Sequence, residues 1–142
     1  MELPRRFRYV LLALVAIASR YDRGEPLSLS QIAVQQQIPS RYLESLLTLL
    51  CTQGLIQSQR GAKGGYWLAR EPWRITLLDV LNSLEGVESR DQLAASTLES
   101  AVVSEICQEA QHAARKVLQR YTLKELCEQR DARQHVDPMY YI

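Results

Sequence analysis

The sequence predicts a mainly α-helical fold with one small β-hairpin, closed by a long C-terminal helix. Three observations carry that prediction. Apolar residues recur at the helical period in several separate stretches. Two short strand-like runs, Leu55 to Arg60 and Tyr66 to Ala69, flank the glycine-rich connection Gly61-Ala62-Lys63-Gly64-Gly65, which is a hairpin signal. From about Leu98 to Tyr121 no Gly or Pro interrupts the longest helical pattern of the chain.

Taken in order, Phe7, Leu11, Leu14, Ala18 and Tyr21 give an amphipathic helix over roughly residues 5–21, broken by Gly24-Glu25-Pro26. Ser28-Leu29-Ser30-Gln31 has the pattern of a capping box and opens a short helix to about Gln36. Pro39 prevents that helix from continuing through Ile38. A third helix starts at Pro39 or Ser40, carries Tyr42, Leu43, Leu46, Leu47 and Leu50, and ends near Gly54. Tyr42 is expected in the core with the leucines. Two short helices joined by a few residues outline a helix-turn-helix, and the hairpin that follows, with Arg60 and Lys63 about its tip, makes it a winged helix-turn-helix.

Thr76-Leu77-Leu78-Asp79 is another capping start, for a helix that Gly86 closes. Residues 87–97 read as a loop. The apolar positions of the long helix, among them Leu98, Val102, Ile106, Val117 and Tyr121, cover too wide a stripe for a lone surface helix. It is expected to pack on its own domain and on a second copy of itself. Thr122-Leu123-Lys124-Glu125 caps a short final helix, and residues 131–142, including His135, are expected as a loosely held tail. The expected organisation is therefore a DNA-binding unit over 1–86, a loop over 87–97, a dimerisation helix and short final helix over 98–130, and the tail.

Composition bounds the function. With 142 residues, 46% of them hydrophobic and 23% charged, the chain has the make-up of one ordinary globular domain. The longest apolar run, Val10 to Ala18, is about half of what a membrane-spanning helix needs. Arg5, Arg6 and Arg8 precede it without a cleavage site after it, so no signal peptide is expected. Cysteines at 51, 107 and 127 are too scattered for a disulfide framework, which points to a reducing, cytoplasmic setting. The net charge of +1 hides an asymmetry: residues 1–74 carry ten basic and five acidic groups, the remainder seven and eleven. A basic half joined to an acidic half suits a polyanion-binding face on a soluble body.

The residues that would meet DNA follow from the element order. A recognition helix enters the major groove with its N-terminal residues near base edges, here Ser40, Arg41 and Glu44. Arg41 has the fork for guanine O6 and N7, and Glu44 can accept from cytosine N4. Arg5, Arg6 and Arg8 would hold phosphates, with Ser28 at a helix N-terminus adding a further contact. Catalysis is not expected, because no nucleophile motif is present and the glycine-rich loop lacks the Lys-Ser/Thr ending of a phosphate-binding loop.

The string from Leu27 to Gly86 resembles the Rrf-two family of winged-helix transcriptional regulators, whose members include an iron–sulfur cluster regulator and a cysteine-metabolism repressor. The matching pieces are Arg8-Tyr9, Ser28-Leu29-Ser30-Gln31-Ile32-Ala33, Ile38-Pro39-Ser40-Arg41-Tyr42-Leu43-Glu44, Gly54-Leu55-Ile56, Arg60-Gly61-Ala62-Lys63-Gly64-Gly65-Tyr66 and Ile75-Thr76-Leu77-Leu78-Asp79-Val80. Tyr121-Thr122-Leu123-Lys124-Glu125-Leu126 looks like the family's last helix. The resemblance implies a homodimer on double-stranded DNA, paired through the long helices, with Arg60 entering the minor groove.

Cluster-binding members bear three closely spaced cysteines in the loop before the long helix. This chain has none over 87–106, and the family's last ligand positions fall near Ala101 and Ser104. No cofactor is therefore expected. Cys51 and Cys107 read as packing residues, while Cys127 is the thiol expected to be exposed. Glu109 and His112 have the three-residue spacing of a carboxylate–histidine metal pair without a second pair to complete a site. Two alternatives stay open: a redox, iron–sulfur or metal sensor of the same fold using Cys107, Cys127 or His112, and a protein–protein adaptor that does not bind DNA. A small-molecule or protein effector is compatible with either DNA-binding reading.

Overall fold

A computed structural model of the chain describes residues 3–85 and 97–140, the last six of these as backbone. The chain runs through α1 (Arg5–Ala18), α2 (Leu29–Gln36), α3 (Ser40–Thr52), β1 (Ile56–Gln59), β2 (Gly65–Leu68), α4 (Leu77–Glu85), α5 (Leu98–Gln119) and α6 (Leu123–Tyr140). This is the winged helix-turn-helix with its long C-terminal helix. Gly86 and all of the expected loop over 87–97 except its last residue lie outside the described residues; Thr97 caps α5, its Oγ1 accepting from the Ser100 amide at 3.0 Å.

α1 is the centre of the core. Phe7, Val10, Leu14 and Ile17 are buried along one face and pack against α2, α3, α4, α6 and the hairpin. The helix stops at Ala18, three residues short of the expected Tyr21. Ser19 Oγ donates to the Ala16 carbonyl at 2.6 Å, and a 3-10 turn over Tyr21–Arg23 is closed by Gly24 in the left-handed region at φ 62°. The Tyr21 ring then meets Trp73 edge-on at 6.0 Å, which holds the turn on the body.

The sequence-legible caps form as atoms. Ser28 Oγ accepts from the Gln31 amide at 3.2 Å while Gln31 Oε1 accepts from the Ser28 amide at 3.0 Å. Thr76 and Asp79 make the same reciprocal pair at 3.0 Å each. At α6 half of the box is present: the Glu125 amide donates to Thr122 Oγ1 at 3.3 Å. α2 ends at Gln37, a non-glycine residue at φ 56° whose turn brings the Ile38 amide onto the Ala33 carbonyl and buries the Ile38 side chain. α3 follows immediately, with Leu43, Leu46, Leu47 and Leu50 buried on one side.

β1 and β2 pair antiparallel, Ile56 opposite Leu68 and Gln59 opposite Gly65. Ile56 and Leu68 anchor the root of this wing in the core, whereas Gln57, Ser58 and Gln59 are exposed. The wing is fastened a second time. Leu27 and Tyr66 exchange both backbone bonds, at 3.0 and 2.8 Å, so the residue before the α2 cap becomes a third short strand segment.

The C-terminal part docks through backbone as well as side chains. The Leu77 amide donates to Tyr121 O at 2.9 Å and the Leu123 amide to Ile75 O at 3.0 Å, around a bridge between Thr76 and Thr122. Leu118 and Leu123 are buried there. α6 is not the short helix expected: its backbone stays helical to Tyr140, so the expected tail is helical as far as it is described. No Gly or Pro falls between Leu123 and Asp137 to stop it, and Pro138 enters in its last turn.

Candidate nucleic-acid interface

α3 presents Ser40, Arg41 and Glu44 to solvent in its first two turns. Pro39 precedes it, its carbonyl accepting from the Leu43 amide at 2.9 Å, so the helix starts where the sequence placed it. The leucine face turned into the core leaves the opposite face free for a groove. Tyr42 corrects an expectation. Rather than joining the core, it is 36% exposed and packs edge-to-face on Tyr9, ring centroids 5.4 Å apart. Tyr is amphipathic enough to sit at that margin. The pair brings the start of α1 beside the start of α3.

Of the three expected phosphate-holding arginines, Arg5 and Arg8 are exposed. Arg6 is turned inward: it is half-buried and donates to the Leu84 carbonyl at 3.2 Å, at the end of α4. A guanidinium on a late carbonyl of a helix is favoured by the helix dipole, so Arg6 ties α1 to α4 and is better placed to brace the interface than to touch DNA. Ser28 is half-buried, and its oxygen serves its own cap.

Arg60 and Lys63 are exposed at the wing tip. Among the described residues, no carboxylate pairs with Arg5, Arg8, Arg41, Arg60 or Lys63; the ion pairs of the basic half are Arg20–Glu25 and Arg74–Glu71. The glycines explain the shape of the tip. A Cβ on Gly64 would lie 2.1 Å from the Gln59 carbonyl oxygen, and one on Gly65 would lie 2.7 Å from the Leu27 carbonyl. The turn and the Leu27 crossing thus need residues without side chains. Burial pushes up both the Cys51 thiol, near the end of α3, and the Tyr66 hydroxyl of β2.

The thiols and the histidine do not converge. Cys51 is half-buried against the core. Cys107, expected as a packed residue, is exposed on α5, because its neighbours Val103 and Ala110 are exposed too. Cys127, expected as the exposed thiol, is half-buried, with its Sγ 3.9 Å from the Val15 carbonyl of α1. Glu109 and His112 are both exposed, and the His135 side chain lies outside the described residues. Among the described residues no group of three or more His, Cys, Asp or Glu could hold a metal ion.

Burial pushes the Cys127 thiol up, against the partial opposition of the Arg130 charge. Less thiolate is present at any given pH, so alkylation of Cys127 in the folded chain is expected to lag behind the same cysteine in the urea-unfolded chain from pH 7 to about 9. A peptide-resolved mass measurement checks this; equal rates at neutral pH would contradict it. The folded-state value lies above the unfolded one, so the protonated thiol favours folding and that contribution fades as pH rises through the folded value.

The sequence profile of the Rrf2 family, described as an iron-dependent transcriptional regulator, matches residues 3–129. The chain belongs to the Rrf2 family. It is 34% identical over 142 residues to the HTH-type transcriptional regulator CymR of Bacillus subtilis, covering 100% of both chains. It is 41% identical over 85 residues to a putative HTH-type regulator of Synechocystis, 60% of this chain and 57% of that one. The solved structure of B. subtilis CymR superposes with a TM-score of 0.75 at 31% identity, covering 90% of this chain and 97% of that one. IscR of T. potens gives 0.74 at 31% identity, with 93% and 88% covered. The chain is thus a DNA-binding transcriptional regulator of the winged-helix class.

The iron dependence in the family description does not fit the residues of this Rrf2 chain. Its three thiols stand on three separate helices, Cys51 on α3, Cys107 on α5 and Cys127 on α6 facing the Val15 carbonyl. A cluster of the family's type needs three thiolates within reach of one another, and no donor set of that kind exists among the described residues.

Two features of the interface escaped sequence reasoning. The Leu27–Tyr66 bridge joins residues 39 apart through backbone atoms, for which side-chain patterns carry no signal. The inward turn of Arg6 was hidden because three arginines in four positions read as one basic cluster; the helical period, which puts Arg6 off the face shared by Arg5 and Arg8, was the available clue.

Proposed function

We propose that this Rrf2 protein acts as a homodimer on a palindromic operator, reading the major groove with Ser40, Arg41 and Glu44 and the minor groove with the wing. The observation that carries this reading is the clamped wing: Arg60 and Lys63 stand exposed and unpaired by carboxylates on a hairpin fixed at its root and again at Leu27. A rigid, basic, glycine-tipped hairpin beside a recognition helix fits an A·T-rich minor groove, where arginine is attracted. Arg5 and Arg8 would hold phosphates and set the salt dependence.

The dimer reading rests on α5. Leu98, Val102, Val103, Ile106 and Val117 are all exposed on it, and only Leu118 of its residues is buried. A row of large apolar side chains left in water on a long helix suits a second copy of the same helix. Two-fold symmetry then gives half-sites about one or two helical turns apart. The three free cysteines suit a reducing, cytoplasmic setting, and among the described residues no helix is long and apolar enough to cross a membrane. The signal for such a regulator would be a small molecule or a partner protein that binds one of its states better than the other.

Arg60→Ala tests the wing. On a duplex that the unmodified protein enriches from a random pool, affinity at fixed, moderate salt is expected to fall about 10- to 100-fold, the scale of losing one well-placed groove arginine. Fluorescence anisotropy measures it. Unchanged affinity would remove the wing from the interface.

A further inference from the structure

α5 leaves the winged helix almost alone. Its contacts with the body concentrate at its C-terminal end, where Leu118 is buried and Tyr121 O accepts from the Leu77 amide at the start of α4. A single hinge of that kind leaves a helix free to swing. The second fastening is Arg115, one turn earlier. Its Nη1 donates to Asn82 Oδ1 at 2.8 Å and its Nη2 to the Glu85 carboxylate, both near the end of α4. The guanidinium thus forks onto two side chains one turn apart, and it offsets the unfavourable carboxylate at the C-terminus of α4. α4 and α5 run antiparallel here, fastened at both ends of α4, and two separated points fix a direction where one does not.

We propose that Arg115 is a positioning residue that sets the spacing between the two half-sites, by fixing the angle of the dimerisation helix to the winged helix. The inference rests on the dimer reading above. The scale of the effect follows from length. α5 has 22 residues, so at 1.5 Å each it is about 33 Å long. A swing of about 10° about its C-terminal end moves the far end by about 6 Å, close to two base pairs at about 3.4 Å each. A dimer held by a loosely hinged α5 would accept neighbouring spacings that the clasped one rejects. Arg115 touches neither the proposed groove-facing residues nor the exposed apolar row, so half-site choice and dimer formation are separate from its role.

The test is selection from a random duplex pool with the full chain and with three variants, followed by sequencing. The unmodified protein is expected to enrich paired half-sites at one centre-to-centre spacing. Arg115→Ala should enrich the same half-site with the spacing spread over about two or three base pairs. Arg115→Glu should do likewise, and combining it with Glu85→Arg should narrow the spread again by restoring an ion pair with its charges exchanged. Weaker binding by Arg115→Ala at an unchanged single spacing would show a merely structural contact and overturn the proposal. So would failure of the reversed pair to narrow the spread that Arg115→Glu causes. Enrichment of single, unpaired half-sites by the unmodified protein would overturn the dimer reading instead, which separates the two failures.

Discussion

Ile106→Glu is expected to turn the proposed dimer into a folded monomer and to lower affinity for the selected operator more than 100-fold. Ile106 is 62% exposed on α5, so the substitution removes little from the monomer's own core and stability of the isolated fold should change by no more than about 0.5 kcal/mol. At a two-fold interface the same position occurs twice, and two carboxylates would enter an apolar seam without partners. Binding then loses the gain from two linked half-sites, about 10²- to 10⁴-fold. Sedimentation equilibrium gives the mass and anisotropy the affinity. A dimer with full affinity would show that the apolar row on α5 is not the contact.

Gly65→Ala is the second large effect. The added Cβ would fall 2.7 Å from both the carbonyl carbon and oxygen of Leu27 and 3.0 Å from the Ser28 amide nitrogen. All three are backbone atoms in a bridge, so no flexible side chain can move aside. Either the Leu27–Tyr66 bonds open or the hairpin shifts, and both disturb the α2 cap at Ser28 together with the wing. The expected loss is about 2 kcal/mol of stability, with a Tm lower by about 5–10 °C. DNA affinity should fall beyond that of Arg60→Ala alone, because the whole tip is displaced. Calorimetry and anisotropy measure the two effects. Unchanged Tm would show that the bridge yields without cost.

The pattern of what was legible follows from the range of the interactions. Ser28-Leu29-Ser30-Gln31 and Thr76-Leu77-Leu78-Asp79 announce their helices because a capping box is closed within four residues, and both formed with reciprocal bonds. The leucines of α3 and the glycines of the wing are equally local signals. Contacts across the chain were not legible. Tyr42 sits at the margin because Tyr9 happens to face it, and Cys127 is shielded because α6 lies on α1 beside Val15. The fork of Arg115 onto Asn82 and Glu85 joins residues about 30 apart, and no local pattern signals it. The end of α6 was misjudged for another reason: polar composition near a terminus suggests a loose tail, yet a run without Gly or Pro before Pro138 has no local cause to leave the helix.

The same contrast applies to the interface. The exposure of Arg41, Glu44, Arg60 and Lys63 was legible from element order, since a recognition helix and a wing expose predictable positions. Which of the early arginines faces outward depends on packing against α4, and there only the structure separates Arg6 from Arg5 and Arg8.

The most direct test of the proposed function compares binding isotherms of the unmodified chain at one salt concentration. One duplex carries the selected palindrome and the other the same bases shuffled. A preference of at least about 10³-fold for the palindrome is expected of a sequence-specific regulator, with saturation at two chains per duplex. Equal affinity for the two duplexes, or saturation at one chain, would contradict a homodimer reading an operator.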